Sequence, residues 1–133
     1  MEIRFKEYYE KLLKQLSLDF NCTPADLQAK ENIITISALN EGRRSYSPGK
    51  PFLQMVTLGA NTVIMADECL HEFLYDWSKT VEGHSLFEFD NLMKLNGELK
   101  KYGYQLNPTH HMFLPCCNID VEEHYQVKWL YYS

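Results

Sequence analysis

Two short apolar runs, separated by only a few residues, constrain the fold of this chain more than any other feature. They are FLQMVTL at residues 52–58 and NTVIMA at residues 61–66, and the word GAN lies at their junction. β-Branched and apolar residues in runs of this length favour strands. Gly59 and Asn61 can both accept the positive φ that a tight turn demands. The sequence therefore predicts a β-hairpin.

The residues before this hairpin predict two helices and a strand. Apolar side chains recur at steps of three and four in the first helix, at Phe5, Tyr8, Tyr9, Leu12, Leu13 and Leu16. Thr23 and Pro24 are typical of an N-cap and a first helical position, and Asp26 suits the first turn of a second helix that runs to about Lys30. NIITISAL, at residues 32–39, is β-branched enough for a strand.

Two further helices are predicted after the hairpin. Asp67 can cap the first of them, whose apolar face comprises Leu70, Phe73, Leu74 and Trp77. Asp90 can cap the second, with Gly103 as its C-terminal stop. The buried face of that second helix is predicted to comprise Leu92, Leu95, Leu99 and Tyr102.

The C-terminal residues predict extended structure. YGYQLN and HHMFLP form a segment interrupted near Pro108, and YQVKWLYYS alternates apolar and polar residues as a closing strand does. The element order is therefore α-α-β-β-β-α-α-β-β over residues 1–133, which we interpret as a single domain. We expect an α+β fold in which helices pack on a mixed, mostly antiparallel sheet.

Composition and charge narrow the class of protein. The net charge of -5 argues against a general nucleic-acid partner, which needs a concentrated basic face. No apolar run approaches the length of a membrane helix, so no membrane partner is expected. The N-terminal residues lack the apolar core of a signal peptide, which predicts a cytoplasmic protein whose four cysteines are reduced.

The word THHMFLPCCNID, at residues 109–120, raises the question of a metal site. Neighbouring residues of a strand point to opposite faces, so His110 and His111 cannot readily bind one ion together. The chain also has no C-x-x-C pair. HEFLY, at residues 71–75, has Tyr75 where a zinc-protease motif needs its second histidine, and we interpret His71 and Glu72 as solvated helix residues. We therefore expect no metal.

A basic loop, NEGRRSYSPGKP at residues 40–51, is the remaining candidate for binding chemistry. The chain has neither a G-x-G word nor a G-K-[ST] word, so nucleotide loops of those kinds are excluded. Arg43 and Arg44 can hold a phosphate or a carboxylate through their guanidinium groups and the exposed amides of the loop. The candidate site also includes Gly42, Ser45, Ser47 and Lys50. The alternative is a mobile basic surface loop without a ligand.

A series of words in order along the chain resembles the N-terminal region of bacterial two-part GNAT-type N-acetyltransferases. These words are DFNCTPADL (19–27), NIIT (32–35), GRRSYS (42–47), VIMAD (63–67), GHSLFEF (83–89), KYGYQLNPTHHMFLP (101–115) and VKWLYY (127–132). The resemblance covers most of the chain, but the words are specific to the family and are not catalytic motifs.

The resemblance implies an N-terminal α+β half that precedes a catalytic half holding acetyl-CoA. The catalytic half is recognised by a [QR]-x-x-G-x-[GA] loop whose amides hold the pyrophosphate, and this chain has no such word. We therefore expect no catalytic residue and no cofactor in this chain, with acetyl-CoA bound only in the complete protein. Substrate-binding residues implied at the cleft between the halves are Arg43, Arg44, Tyr46, His110 and His111.

Three functions follow from these patterns and are left open. The first is a non-catalytic N-terminal domain that shapes the acceptor site or docks the catalytic half, with that catalytic GNAT domain or a second copy of the chain as its partner. The second is a stand-alone binding module. The third is a small metal- or thiol-dependent enzyme that uses the His/Cys stretch.

Overall fold

The computed structural model describes residues 2–45 and 48–107, with side-chain detail from residue 5 onward. The predicted order of the first seven elements is confirmed. They are α1 (Glu2–Asp19), α2 (Pro24–Gln28), β1 (Ile33–Ile36), β2 (Leu53–Thr57), β3 (Thr62–Ala66), α3 (His71–Ser78) and α4 (Phe89–Lys100), with short 3₁₀ turns at Glu68–Leu70 and Gly83–Phe87.

The three strands form a mixed sheet in the order β1-β3-β2. β2 and β3 are the predicted hairpin and pair antiparallel, with Met55 opposite Ile64. β1 pairs parallel to β3 on the other side, with Ile33 opposite Val63. The α+β class and the mixed sheet are thus confirmed, with one pairing of each kind between these strands.

β3 is the centre of the protein, because every one of its five residues is buried. Val63 and Met65 point to one face, where they pack with Leu13, Leu16, Phe20 and Leu27 of α1, α2 and their connection. Ile64 and Ala66 point to the other face. There they pack with Leu70, Leu74, Trp77, Leu86, Leu95 and Leu99, which come from α3, α4 and the turns beside them. Helices therefore cover both faces of the sheet.

Several helix ends follow the predicted local rules. Thr23 and Asp26 form a reciprocal capping box at the start of α2. Asp67 accepts a hydrogen bond from the Cys69 amide and so caps the turn that leads into α3. Gly103, at φ +84°, ends α4, and the Tyr104 amide donates to the Leu99 carbonyl at 3.0 Å in a Schellman arrangement.

Three predictions about particular residues are wrong. Asp90 does not cap α4; Glu88 does, because its extended backbone precedes the helix and its carbonyl accepts the Leu92 amide at 2.9 Å. Tyr102 is 43% exposed, because it lies beyond the last turn of α4. Gly59 adopts positive φ in the hairpin, but Asn61 does not.

Of the predicted extended segment, residues 102–103 belong to the turn that ends α4 and residues 104–107 form no strand, so that part of the prediction is wrong. Its second part, residues 110–115, and the closing strand at residues 125–133 lie outside the described residues. β1 is shorter than predicted, since it ends at Ile36 and the chain then enters the basic loop. Within residues 2–45 and 48–107, no helix is both long enough and apolar enough to cross a membrane.

Candidate functional site

The carboxyl ends of β1 and β3 lie at the same edge of the sheet, because the two strands run parallel. The loop of residues 37–52 leaves from this edge and returns to it. The Ser37 amide donates to the Ala66 carbonyl at 2.9 Å, and the Asp67 amide donates to the Phe52 carbonyl at 2.8 Å. Ligands of open sheets with parallel strands bind beyond such ends. We call residues 37–45, 48–52 and 67–71 the carboxyl-edge site.

An ion pair between an exposed arginine and a buried carboxylate fixes the middle of this loop. The Asp19 side chain, at the end of α1, is fully buried and accepts the Arg44 backbone amide at 2.6 Å. Nε and Nη2 of Arg44 both reach Oδ2 of Asp19, each at 2.8 Å. A carboxylate at the C-terminal end of a helix faces the negative end of the helix dipole, so it needs this cation.

Side-chain amides of α1 and of the residues after it hold the loop at further points. Gln15 donates through Nε2 to Oδ1 of Asp19 at 2.8 Å and to the Gly42 carbonyl at 3.0 Å. Asn40 donates to the Leu18 carbonyl at 3.2 Å and to Oδ1 of Asn21 at 3.1 Å. Residues 40, 42 and 44 are therefore hydrogen-bonded to the helical layer.

Arg43 has a different environment from Arg44. Its amide closes a turn on the Asn40 carbonyl at 3.2 Å, and its Nη2 donates to the Gly49 carbonyl at 3.3 Å. Within the described residues its guanidinium forms no ion pair, while that of Arg44 does. The carboxyl-edge site thus presents one arginine without a carboxylate partner and one whose charge is compensated.

The turn after β3 adds further ionisable groups to this edge. Hydrogen bonds from Cys69 hold the pKa of Asp67 below its ordinary value, and the charges of Lys50 and His71 lower that pKa further. Nε2 of His71 lies 3.0 Å from the Ala66 carbonyl. A carbonyl only accepts hydrogen bonds, so Nε2 carries the proton. His71 is half-buried, so the interpretation of His71 as a solvated residue is wrong, whereas Glu72 is exposed.

Sequence reasoning identified Arg43 and Arg44 but missed Asp19. The structure places both arginines in the same loop, and gives them unlike partners. Asp19 follows Leu12 and Leu16 at steps of four and three, so a charged residue continues the apolar face of α1. Its place on the apolar face could have identified Asp19 from the sequence, because a carboxylate on a buried face needs a cation. Tyr46, His110 and His111 lie outside the described residues.

A second concavity lies between α3 and α4, on the other side of Asp67. It has a volume of about 300 Å³ and is lined by Cys69, Glu72, Phe73, Asp76, Glu98 and Tyr102. Slight desolvation and the hydrogen bond to Asp67 raise the pKa of the exposed Cys69 thiol, which disfavours its thiolate form. The concavity is acidic and offers no evident chemistry.

The pKa of the other described thiol is raised as well. Burial, with the nearby Asp26 carboxylate, raises the pKa of Cys22 to about 11. In the part of the chain that the structure describes, no three His, Cys, Asp or Glu side chains group closely enough to hold a metal ion. Cys116 and Cys117 lie outside that part.

Fold and site together define an α+β protein with an arginine loop fixed at the carboxyl edge of a mixed sheet. No protein-family model, curated protein or solved structure matches the chain.

Proposed function

We propose that this chain is the N-terminal domain of a GNAT-type N-acetyltransferase, without catalytic activity of its own. In the complete protein, acetyl transfer from acetyl-CoA to an amine takes place in a separate catalytic half. The role of this domain is to shape the acyl-acceptor site or to dock that half.

The fixed position of residues 42–44, the first three of the word GRRSYS, is the observation that supports this proposal. Residues 42–44 belong to one of the words that resemble the family, and Asp19 belongs to another. The ion pair between Asp19 and Arg44 joins these two words. A loop that is fixed before it meets a ligand binds with less loss of conformational entropy, which suits an acceptor site.

Cofactor chemistry supports the absence of activity in the isolated domain. Acetyl-CoA needs backbone amides around its pyrophosphate, and the family provides them in a [QR]-x-x-G-x-[GA] loop. None of the six glycines of this chain lies in such a word. We expect no strong binding when acetyl-CoA is titrated into the 133-residue chain. Tight one-to-one binding would contradict the proposal.

Kinetics of the longest native form test the role of the loop. Arg43→Ala and Arg44→Ala are expected to lower kcat/KM for the acceptor amine, because the loop then loses a contact or its fixed shape. Lys94→Ala is the matched control, since Lys94 is an exposed cation on α4 and lies in none of the family words. Unchanged kinetics in both arginine variants would remove the proposal.

A stand-alone binding module is the second candidate, and an exposed apolar patch favours it. Leu18, Ile36 and Leu39 are 38%, 48% and 56% exposed beside the carboxyl edge. A reading frame that continues past Ser133 into a glycine-rich pyrophosphate loop favours the acetyltransferase domain. A native stop codon there favours the module, with a second copy of the chain as a partner to test by sedimentation.

A further inference from the structure

Arg43 and Arg44 are adjacent in the sequence, yet their side chains have different partners. Arg44 binds Asp19, whereas Arg43 donates to the Gly49 carbonyl. The carboxylate of Asp19 accepts the backbone amide of Arg44 and two of its guanidinium nitrogens, all within 2.8 Å. Gln15 connects the same carboxylate to the Gly42 carbonyl. The residues on both sides of Arg43 are therefore bound to α1.

Arg44 is bound to Asp19 of α1, whereas Arg43 is half-buried and its side chain reaches across the loop to residue 49. Its guanidinium donates to the neutral Gly49 carbonyl and keeps an uncompensated charge within the described residues. A planar guanidinium of this kind can donate two hydrogen bonds to one oxyanion.

We propose that Asp19 is a positioning residue, which holds the loop through Arg44 so that Arg43 binds an oxyanion of the ligand, a phosphate or a carboxylate. This inference rests on the proposed function, because it specifies which residue of the acceptor-site loop contacts the ligand. Arg44 fixes the loop through its hydrogen bonds to Asp19, while Arg43 supplies the positive charge that binds the ligand.

For the Asp19→Asn variant, the inference predicts a change in anion affinity opposite to the change that simple electrostatics predicts. Asp19→Asn removes a negative charge beside the loop, so long-range attraction alone would strengthen the binding of an anion. Loss of the fixed loop shape weakens it instead. We expect the variant to bind about tenfold more weakly, as for the loss of one charge-assisted hydrogen bond.

Titrations of the 133-residue chain followed by NMR test this prediction, with inorganic phosphate and acetate as the two probes. The side-chain Nε–Hε signals of the arginines report on each guanidinium, and Arg43→Lys and Arg44→Lys assign them. In the wild-type chain we expect a saturable shift of the Arg43 signal and a smaller one for Arg44. The probe with the lower Kd identifies the preferred oxyanion.

The variants then separate positioning from charge. Arg43→Ala is expected to abolish the saturable shifts. Arg44→Lys keeps a cation opposite Asp19 and keeps the backbone hydrogen bond but loses the paired guanidinium contacts, so its affinity should fall less than that of Asp19→Asn. Limited proteolysis of the loop by trypsin provides an independent measurement, and Asp19→Asn should be cut faster after residues 43 and 44.

Each outcome decides a different question. If Arg43→Ala abolishes binding while folded Asp19→Asn binds as tightly as wild type or more tightly, the positioning role is wrong and the proposed function stands. If the Arg44 signal shifts in the wild-type chain and the Arg43 signal does not, the division of roles is wrong, even where Asp19→Asn fails to fold. No saturable shift with either probe would overturn the inference and the acceptor-site role of the loop together.

Discussion

The rings of Phe52 and Tyr104 stack face to face, with centroids 4.0 Å apart and planes 6° from parallel. Phe52 precedes β2, and Tyr104 follows the end of α4. Leu106, two residues further on, packs on the core cluster between the sheet and α4. The segment after α4 is thus held against the start of the hairpin by an aromatic contact between residues far apart in the sequence.

Removing this contact should destabilise the protein. Tyr104→Ala is expected to lower the free energy of unfolding by about 1–2 kcal/mol, because it removes the stacking contact and the apolar area that the ring covers. Urea unfolding followed by circular dichroism measures the change. Phe89→Ala is the matched control, since Phe89 is 74% exposed. Equal losses in the two variants would show that the stacking contributes nothing.

Asn61 holds the hairpin to the segment that leads into β1. Its side-chain amide donates to the carbonyls of Asp26 and Glu31, each at 2.8 Å, and the residue is 1% exposed. Asn61→Ala leaves two carbonyls without their donor, so we expect a loss of about 2–3 kcal/mol in the free energy of unfolding. Asn107→Ala, at an exposed position, should change it little. A loss no larger than that of the control would contradict this role.

Two glycine substitutions should change the free energy of unfolding in opposite directions. Gly83 has φ +52°, and a Cβ there would lie 3.0 Å from the Ala60 carbonyl oxygen. Gly83→Ala should therefore lower the free energy of unfolding by about 1–3 kcal/mol. Gly97 lies inside α4 with open space around it, so Gly97→Ala should raise that free energy by about 0.5–1 kcal/mol. Thermal unfolding of both variants measures the two changes in stability. A change in the same direction in both variants would contradict the prediction.

The thiol of Cys22 should react only at high pH. Its pKa is raised to about 11 by burial and by the Asp26 carboxylate, so the folded protein holds the thiol proton more tightly than the unfolded chain does. The stability that this provides is present below the ordinary thiol pKa and is lost as pH rises towards about 11.

Alkylation measures this pKa directly. In a chain with Cys69, Cys116 and Cys117 replaced by serine, the rate of reaction of Cys22 with iodoacetamide should rise with a midpoint near pH 11. The same chain unfolded in urea is the control and should show the ordinary midpoint of a thiol. Identical midpoints in the folded and unfolded chains would show that burial has no effect on this group.

The sequence by itself determined the local structure of this protein. Spacings of three and four residues located α1, α3 and α4, and the alternating apolar runs located the hairpin. Thr23, Asp67 and Gly103 were correctly assigned to helix ends. These features depend on contacts within a few residues, so a short window of sequence contains the information they need.

Only the tertiary structure decided which distant residues meet. No local pattern indicates that β1 lies parallel to β3 and makes β3 the central strand. Asn61 looks like a turn residue, yet it is buried, and carbonyls of α2 and of the segment before β1 accept its side-chain amide. Arg43 and Arg44 look equivalent in the sequence, but Asp19 pairs with only one of them. Such pairings depend on how helices and strands pack across the whole domain, and a charge in a loop has no fixed role until a partner from another element reaches it.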